Sequence, residues 1–584
     1  MGSTGRRLLW GTVAAALIVT GAGEFGVLSS RYVLALAVVT LAAVAASVWP
    51  RIRAFPHRPL ALSAFALPLL LQAAAWGMVP EIGLYDIAFR AGQLLFGWGV
   101  AVAILRCLAE SPPQPSPPGR APHPAWALGL LLVAVAGLTV IHWVVVLGRP
   151  LVIDEAHYVL QSRLLAEPGF TRSLDPQLAP FFLMRQAYLR DGHLNGQYPP
   201  GWPVLLALFD RAHLMWAAGI ALATLSGVFT YLLGRDLGQD GHDPWTGLIA
   251  ALLLVTNYQF LGVTPTYFPH AATLACCTGA AWSWLRATRS PPGGGRALAW
   301  HVAAGFALGV AMAVRPYTGA VAAVALTIWF WPPPWHLRRL IVPALGLLLG
   351  MAPAITGLLF YNAVTNGHPL VFGYAAAQGA LHDLGFGLRG LIVYDPQGHA
   401  LHRALLFTPW DGAVATVLLA RRAIVRFSPF GLVVPLLVLG RSLGAAIRWR
   451  LVIAVLTLPL AYAFWYYAHL RFWVELLPFV ALVAARLLGV LRRRTPAIAV
   501  PAVTLLVAGG LLQSLIVLRH EYQENRREFG ASFAAIDAAA RAHPLLVFVS
   551  DPRSEPALLE ALQCYNAGPF PGRVVVARDL GPAR

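Results

Sequence analysis

Long apolar segments, separated by short polar ones, dominate the pattern of hydrophobic and polar positions along the chain. Each segment holds roughly 20 residues, which as an α-helix span about 30 Å of hydrocarbon. The pattern therefore predicts an all-α polytopic membrane protein with about 15 transmembrane helices. The predicted spans are residues 8–28, 32–49, 60–79, 86–107, 125–147, 213–234, 244–263, 268–287, 297–314, 317–333, 340–361, 423–440, 451–468, 472–490 and 497–518.

A proline-rich stretch divides these spans into two groups. From Ser111 to Gly119 the chain reads Ser-Pro-Pro-Gln-Pro-Ser-Pro-Pro-Gly, which cannot be helical and behaves as a semi-rigid spacer. We therefore predict a four-helix membrane module at residues 1–110, a linker at 111–124 and a transmembrane core at 125–518.

The end of the chain differs in character from the spans. Residues 519–584 begin with a polar, charged stretch and continue with two short apolar runs, 545–550 and 573–578, on either side of a helical stretch at 556–563. This alternation predicts one βαβ-like unit. We expect a small α/β appendage that is too small to fold alone and packs on the outer loops.

The composition supports a membrane protein. Of the 584 residues, 58% are hydrophobic and 12% charged, and the mean hydropathy is +0.65, whereas a soluble chain carries about 25% charged residues. The net charge of +18 comes from arginine alone. Nucleic-acid binding is the weaker interpretation of this charge, because the arginines fall in alternate loops. Those on one side are Arg51, Arg53, Arg58, Arg235, Arg286, Arg289, Arg296, Arg338, Arg339, Arg441, Arg448, Arg450, Arg492, Arg493 and Arg494.

The arginine distribution also predicts the orientation. Arginine-rich loops face the cytoplasm, so the N-terminus lies there as well. The loops at 148–212 and 362–422 and the tail at 519–584 then lie on the extracytoplasmic side. The expected location is a bacterial-type inner or plasma membrane, crossed many times.

An acidic pair stands directly after the first core span. Asp154 and Glu155 follow an apolar run that ends in Gly148-Arg149-Pro150. Carboxylates at the edge of a membrane are costly to bury and tend to mark function, although a helix end is also an ordinary place for charge. Asp154 and His157 are three residues apart, so on a helix the two side chains could share a divalent metal. Two ligands are too few to define a metal site.

Other polar motifs occur at predicted span ends on the same side. A turn, Tyr198-Pro199-Pro200-Gly201, precedes the second core span, and Arg315-Pro316 lies between two paired spans. Arg471 and Glu475 are four residues apart, which on an α-helix favours an ion pair on one face. Arg315 is equally explained as an arginine that extends from a helix end to the interface.

Together these motifs resemble the GT-C superfamily of membrane glycosyltransferases, in particular the family-39-like branch of protein O-mannosyltransferases and aminoarabinose transferases. The resemblance covers about 125–518. The matching residues are Asp154, Glu155 and Tyr158, the turn Tyr198-Pro199-Pro200-Gly201, Arg315-Pro316, Arg471-Phe472, Glu475 and Pro478.

The resemblance implies an activity. A sugar would move from a polyprenyl-phosphate donor to an acceptor hydroxyl at the extracytoplasmic face, with inversion at the anomeric carbon. Asp154 would act as the general base, with Glu155 as a second catalytic carboxylate. Arg315, Arg471 and His469 would hold the departing lipid phosphate. The remaining expected substrate-binding or phosphate-binding residues are His157, Tyr198, His270, His382, Asp383 and Glu475.

Several alternatives stay open at this point. Related enzymes place an acidic residue where this chain has His270, which is equally explained as a helix-end histidine. The glycine-rich loop around His382 and Asp383 fits a flexible loop as well as a cover over the headgroup. A divalent metal is a possible cofactor, and the acceptor could be a lipid, a glycan or a protein. The rival functions are a transporter or flippase of a lipid-linked saccharide and a non-catalytic scaffold.

Overall fold

A computed structural model describes most of the chain from residue 122 onward, and the predicted module at 1–110 and nearly all of the linker at 111–124 lie outside the described residues. The described ranges are 122–175, 177–178, 181, 186–240, 243–291, 293–330, 341–394, 400–427, 455–467, 469–494, 496–549, 562, 565–566 and 573–578.

The described part is mostly helical. Its helices are α1 (Pro124–Val144), α2 (Ile153–Leu164), α3 (Gly201–Asp210), α4 (Ala218–Asp240), α5 (Thr246–Val255), α6 (Tyr258–Val263), α7 (His270–Thr288), α8 (Gly295–Val314), α9 (Pro316–Phe330), α10 (Ile341–Asn366), α11 (Gly373–Gln378), α12 (Pro409–Arg426), α13 (455–462), α14 (Leu477–Arg494), α15 (Pro496–Asn525) and α16 (Ala531–Ala542).

Four of the described helices are long and apolar enough to cross a membrane. They are Pro124–Val144, Met215–Gly238, Gly295–Val314 and Ile341–Asn366. Each coincides with a predicted span. Helix α7 lies among these helices, with nearly every side chain buried, and packs against α4, α8 and α9. Helix α7 therefore lies in the core of the described helices.

One predicted span was wrong as a single helix. The span expected at 244–263 is two helices, because Asn257 interrupts it and accepts a hydrogen bond from the backbone N–H of Gln259 at 2.9 Å, which caps α6. The region expected as an outer loop at 362–422 also contains a helix. Helix α12 begins inside it at Pro409, where Thr408 and Asp411 form a capping box.

The outer loops also contain strands, which the sequence analysis missed. In the first loop, Asp191 (φ 52°) and Gly192 (φ 76°) form the tight turn of a hairpin. Both residues have positive φ, which is typical of an Asp-Gly turn between two strands. The strands are β1 (Arg172–Ser173), β2 (Ala187–Arg190) and β3 (His193–Gly196) in the first loop and β4 (Gly387–Tyr394) and β5 (Ala400–Phe407) in the second.

The C-terminal strands β6 (Leu545–Val549) and β7 (Val574–Arg578) form a parallel pair, in register from Leu545 opposite Val574. They occupy the two apolar runs from which strands were expected. The helix expected between them at 556–563 lies almost entirely outside the described residues. Helix α16 and this strand pair, with the Leu562 and Tyr565 side chains, form one apolar cluster with the segment that precedes α2.

Candidate active site

The site is built at the start of helix α2, only a few residues beyond the end of α1. Val152, at the N-cap position, offers no capping side chain. Instead the Glu155 carboxylate accepts a hydrogen bond from the backbone N–H of Leu151 at 2.9 Å. An acidic side chain in the first turn also interacts favourably with the helix dipole. Asp154, in the same turn, projects from a helix end that is fixed independently of it.

The Asp154 carboxylate is held by three side chains. Its Oδ2 accepts from Arg471 Nη2 at 2.8 Å, and its Oδ1 accepts from Tyr198 Oη at 2.8 Å and from Gln186 Nε2 at 3.2 Å. The side chain of Asp154 is 20% exposed. Asp154 is thus an oriented carboxylate that solvent or a ligand can still reach.

Tyr198 is positioned by the Tyr-Pro-Pro-Gly turn. Its ring stacks on Tyr158 with centroids 4.0 Å apart, and its backbone N–H donates to Gln161 Oε1 at 3.2 Å. Gly201 ends the turn against α8, because a Cβ at this residue would lie 2.5 Å from the carbonyl carbon of Ala313. The turn therefore brings the Tyr198 hydroxyl and the end of α8 to the same place.

The segment that carries Arg471 is a 3₁₀ helix, Leu470–Leu476. An ion pair between Arg471 and Glu475, one of the two explanations of their spacing, does not form for this reason. With about three residues per turn, positions four apart point in different directions. Arg471 turns toward Asp154, and Glu475 turns toward Arg315 at the end of α8.

Arg315 and Glu475 form the centre of a second polar cluster. Arg315 Nη1 lies 2.5 Å from Glu475 Oε1, and its Nη2 donates to Tyr462 Oη at 3.0 Å. The imidazole Nδ1 of His270, the first residue of α7, accepts from Arg315 Nη1 at 2.8 Å. Thr273 Oγ1 donates to the same Glu475 oxygen at 2.7 Å. The arginine and the glutamate are nearly enclosed, so this pair is a costly arrangement for the fold.

Phe472 joins the two clusters. The guanidinium carbon of Arg315 lies 5.2 Å from its ring centroid and that of Arg471 lies 5.5 Å from it. Arg471 also lies over Phe268, at 4.5 Å. Asp154 and the two arginines predicted at this face are thus brought together around one aromatic ring.

Glu155 faces away from this centre. It is 2% exposed, and its Oε1 accepts from the backbone N–H of Tyr267 at 3.1 Å. Burial raises the pKa of the Glu155 carboxyl to about 7, against the hydrogen bonds from backbone N–H groups. Its contacts are those of a residue that ties the start of α2 to the segment before α7.

The histidines are dispersed. His157 is buried, and its Nδ1 donates to the Ile153 carbonyl at 3.0 Å. His469 is exposed at the start of the 3₁₀ helix, 4.7 Å from Tyr467 by ring centroids. Among the residues that the structure describes, no three His, Cys, Asp or Glu side chains cluster closely enough to hold a metal.

His382 and Asp383 do not share an environment. His382 is buried, with Nδ1 2.6 Å from Tyr466 Oη, and burial lowers the pKa of its imidazole to about 4. Asp383 is exposed to solvent. Tyr374 connects this region to the site, since its ring lies 6.0 Å from His382 and 5.8 Å from Tyr198 by centroids.

Sequence reasoning missed Gln186, which bonds directly to Asp154. A neutral amide in a loop carries no pattern that distinguishes it from a surface residue. Its position follows from hairpin pairing, because the Gln186 carbonyl accepts from the Gln197 backbone N–H at 3.0 Å, next to Tyr198. The Asp-Gly turn at 191–192 was the available signal, since it predicts a hairpin whose strands pair.

No protein-family model matches the chain, and no curated protein sequence matches it. Among solved structures, the chain is similar to ArnT from Cupriavidus metallidurans bound to undecaprenyl phosphate, with 14% identity and a TM-score of 0.46 over 77% of this chain and 89% of ArnT. It is also similar to the Archaeoglobus fulgidus oligosaccharyltransferase, with 15% identity and a TM-score of 0.38 over 67% of this chain and 56% of that one.

A third similar structure is the S. cerevisiae protein O-mannosyltransferase Pmt1-Pmt2 complex bound to the sugar donor. The identity is 15% and the TM-score 0.30, over 48% of this chain and 43% of that one. At this level of similarity no residue inherits a role, and only the contacts of the side chains themselves can assign one.

Proposed function

We propose that this protein is an integral membrane glycosyltransferase that transfers a sugar from a polyprenyl-phosphate donor to an acceptor hydroxyl. The observation that carries the proposal is the oriented Asp154 carboxylate, bonded to Arg471 and lying beside a second guanidinium, that of Arg315, across Phe472. A base and two cations within one site match the two needs of this reaction. The acceptor loses a proton, and the phosphate leaves with negative charge.

The reaction is a single displacement. The acceptor oxygen attacks the anomeric carbon while its proton passes to Asp154, and the bond from that carbon to the phosphate oxygen breaks. Attack opposite to the leaving phosphate inverts the configuration. The ion pair with Arg471 and the hydrogen bonds from Tyr198 and Gln186 hold the Asp154 carboxylate in one orientation.

The leaving phosphate needs positive charge that is already in place. Arginine presents a planar fork of donors that matches phosphate oxygens. Arg315 and Arg471 each have a carboxylate partner, so an incoming phosphate shares or replaces those partners. Preorganised cations of this kind stabilise the charge that develops in the transition state. His469, exposed beside the 3₁₀ helix, is the third candidate contact.

The donor is lipid-linked because of where the site lies. Sugar nucleotides are too polar to cross a bilayer, and the positive-inside pattern predicts that the Asp154 end lies on the extracytoplasmic side of a bacterial-type inner or plasma membrane. The N-terminus then lies in the cytoplasm and the C-terminal tail outside. The acceptor class stays open between lipid, glycan and protein.

The test compares two neutralised carboxylates in the same loop. Asp154→Asn removes the base and keeps the shape, whereas Asp191→Asn changes an exposed acid at the hairpin turn. Mass spectrometry of envelope glycolipids, glycans and proteins, with and without the protein, identifies the product. We expect Asp154→Asn to lower its formation about 10²- to 10⁴-fold and Asp191→Asn to leave it unchanged. Full product formation by Asp154→Asn at normal abundance would contradict the proposal.

A transporter or flippase of a lipid-linked saccharide would need two compartments. Purified protein in detergent separates the two functions, because transfer continues there and transport does not. Product formed from a polyprenyl-phosphate sugar in detergent would support the enzyme. A protein that forms no product there but moves the same lipid between leaflets in vesicles would support the transporter.

A further inference from the structure

The C-terminal tail contacts the chain immediately before Asp154, and this contact has a polar and an apolar part. The polar part is centred on Arg149, two residues before Leu151. Its guanidinium pairs with the Asp537 carboxylate of α16, and its Nη1 donates to Tyr565 Oη at 2.8 Å. Tyr565 Oη donates in turn to Asp537 Oδ1 at 2.7 Å. The three side chains form a closed ring of hydrogen bonds.

Aromatic rings enclose the arginine. Its guanidinium carbon lies 4.8 Å from the ring centroid of Phe533 and 5.5 Å from that of Tyr565. A second polar contact lies four residues earlier in the chain, where Asn525 Nδ2 donates to the Val145 carbonyl at 2.9 Å. The segment between α1 and α2 is therefore bonded to the tail at its first residue, Val145, and near its middle, at Arg149.

The apolar part includes the residue next to the proposed base. Ile153 is 2% exposed and packs in the same cluster as Phe529, Phe533 and Val576, with Leu147 and Leu151 at its edge. Ile153 is the first residue of α2, and Asp154 is the second. Successive side chains on a helix point about 100° apart, so Ile153 enters the core of the tail while Asp154 faces Arg471.

We infer that the C-terminal tail is a positioning element for the transfer reaction, which holds the start of α2 through Arg149, Asp537 and Ile153 and so sets the direction of Asp154. This inference rests on the proposed function for its catalytic consequence. The physical coupling between the tail and α2 does not depend on it. A misplacement of about 1 Å at a reacting group can lower a rate about 10²-fold, so a distant contact of this kind can control the rate.

The test uses the full-length protein and two readouts. Asp537→Asn removes the charge that pairs with Arg149, and the matched control Glu528→Gln neutralises an exposed acid just before α16. Hydrogen–deuterium exchange of a peptide covering residues 151–164 reports the coupling directly. The transfer rate at varied concentrations of a polyprenyl-phosphate sugar reports its consequence.

We expect Asp537→Asn to raise exchange of the 151–164 peptide several-fold and to lower kcat about tenfold, with KM for the donor within twofold. A loss of kcat at constant KM is the signature of a misplaced base, because substrate binding is retained. The charge swap R149D/D537R restores the pair and is expected to reverse both effects. Glu528→Gln is expected to change neither.

A second, milder variant keeps the test decisive if Asp537→Asn does not accumulate. Tyr565→Phe removes only the bridging hydroxyl and is expected to raise exchange and lower kcat about two- to threefold. Unchanged exchange of 151–164 in both variants would overturn the inference, even if Asp154→Asn abolishes transfer. Raised exchange that the charge swap does not reverse would also overturn it. Raised and reversible exchange would support the coupling between the tail and α2, even if Asp154 proved not to be the base. Raised exchange with an unchanged kcat would overturn the role of the tail in transfer.

Discussion

The two ends of helix α7 carry ionic clusters of different construction. They are about 28 Å apart by the rise of an α-helix. At the His270 end, each arginine has one carboxylate partner, and a phenylalanine ring lies over each guanidinium. At the other end, the buried Asp236 carboxylate lies within 4.0 Å of Arg235, Arg286 and Arg289, all of which are at least a quarter exposed.

The difference separates two uses of charge. The Asp236 carboxylate is buried, but its three arginines stay partly solvated, so these cations hold the helix ends together at little desolvation cost of their own. They also add to the positive charge expected at a cytoplasmic face. A one-to-one pair enclosed by aromatic rings is costly to bury and gives little stability in return. The cluster at the His270 end therefore has the features of a functional site, and the cluster at the Arg286 end has those of a structural contact between helices.

The largest expected contrast is in stability. Glu475→Gln leaves the nearly enclosed Arg315 guanidinium without its carboxylate, which we expect to destabilise the protein by about 3–5 kcal/mol. Asp236→Asn leaves three arginines that can turn to solvent, and we expect a cost of about 1 kcal/mol. Thermal unfolding of both variants in detergent measures the difference. Equal losses of Tm would contradict the distinction between the two clusters.

The second contrast is in activity. Arg471→Ala removes both the proposed phosphate contact and the partner of Asp154, so we expect a fall in transfer of about 10²- to 10³-fold. Arg289→Ala leaves Asp236 with two other arginines and is expected to keep the rate within twofold. Initial rates at saturating donor measure both. Comparable losses in the two variants would mean that the arginines at the two ends are equivalent.

A third prediction concerns the pH dependence of stability. Burial raises the pKa of Glu155 from its ordinary 4.5 to about 7 in the folded protein. The folded state then holds this proton more tightly than the unfolded state, so the stabilisation is complete below about pH 4.5 and is lost as the pH rises to about 7. The shift corresponds to about 3 kcal/mol.

Glu155→Gln cannot titrate, so its Tm is expected to fall less than that of the unmodified protein between pH 4.5 and pH 7. Tm values of the two proteins across this range give the difference in slope. A matched substitution at Glu528, which is exposed, is expected to leave the slope unchanged. Parallel curves for Glu155→Gln and the unmodified protein would show that the pKa of Glu155 does not differ between the folded and unfolded states.

The smallest expected effect concerns the aim of Asp154. Tyr198→Phe removes one hydrogen bond to the carboxylate and retains the stacking on Tyr158. A single hydrogen bond of this type contributes about 1 kcal/mol, or roughly a fivefold change in kcat. Tyr188→Phe, which removes a hydroxyl bonded to Asn366 outside the site, serves as the control. A fall of the same size in both variants would remove Tyr198 from any specific role.

The cluster at the His270 end also shows which parts of the candidate site could be predicted from the sequence. Asp154, Arg315 and Arg471 are visible because charge is rare beside long apolar runs, and the acidic string, the Tyr-Pro-Pro-Gly turn and the Arg-Pro pair form a recognisable set. Their partners are not visible. A span-length pattern cannot tell a 3₁₀ segment from an α-helix, so the spacing of Arg471 and Glu475 left an ion pair between them open and did not indicate the contact of Arg471 with Asp154.

Two local sequence signals also predict structure that the pattern of apolar spans does not show. The Asp-Gly turn at 191–192 and the Thr408-Pro-Trp-Asp411 capping box each predict structure inside a supposed loop. Gln186 gave no signal of its own, because its contact with Asp154 depends on the pairing of two strands. The described fold was thus predictable where hydrophobicity decides it, and less so where hydrogen bonding does.

Gly201 has a consequence for engineering. Its Cα lies against the Ala313–Val314 peptide with no room for a methyl group. The absence of a side chain at Gly201 therefore sets the spacing between the Tyr198 turn and the end of α8. Alanine, serine and valine at this position would increase the distance between the Tyr198 turn and the end of α8 by increasing amounts. Such a series would test how far the Tyr198 turn and the end of α8 can separate without altering Asp154, Arg315 or Arg471.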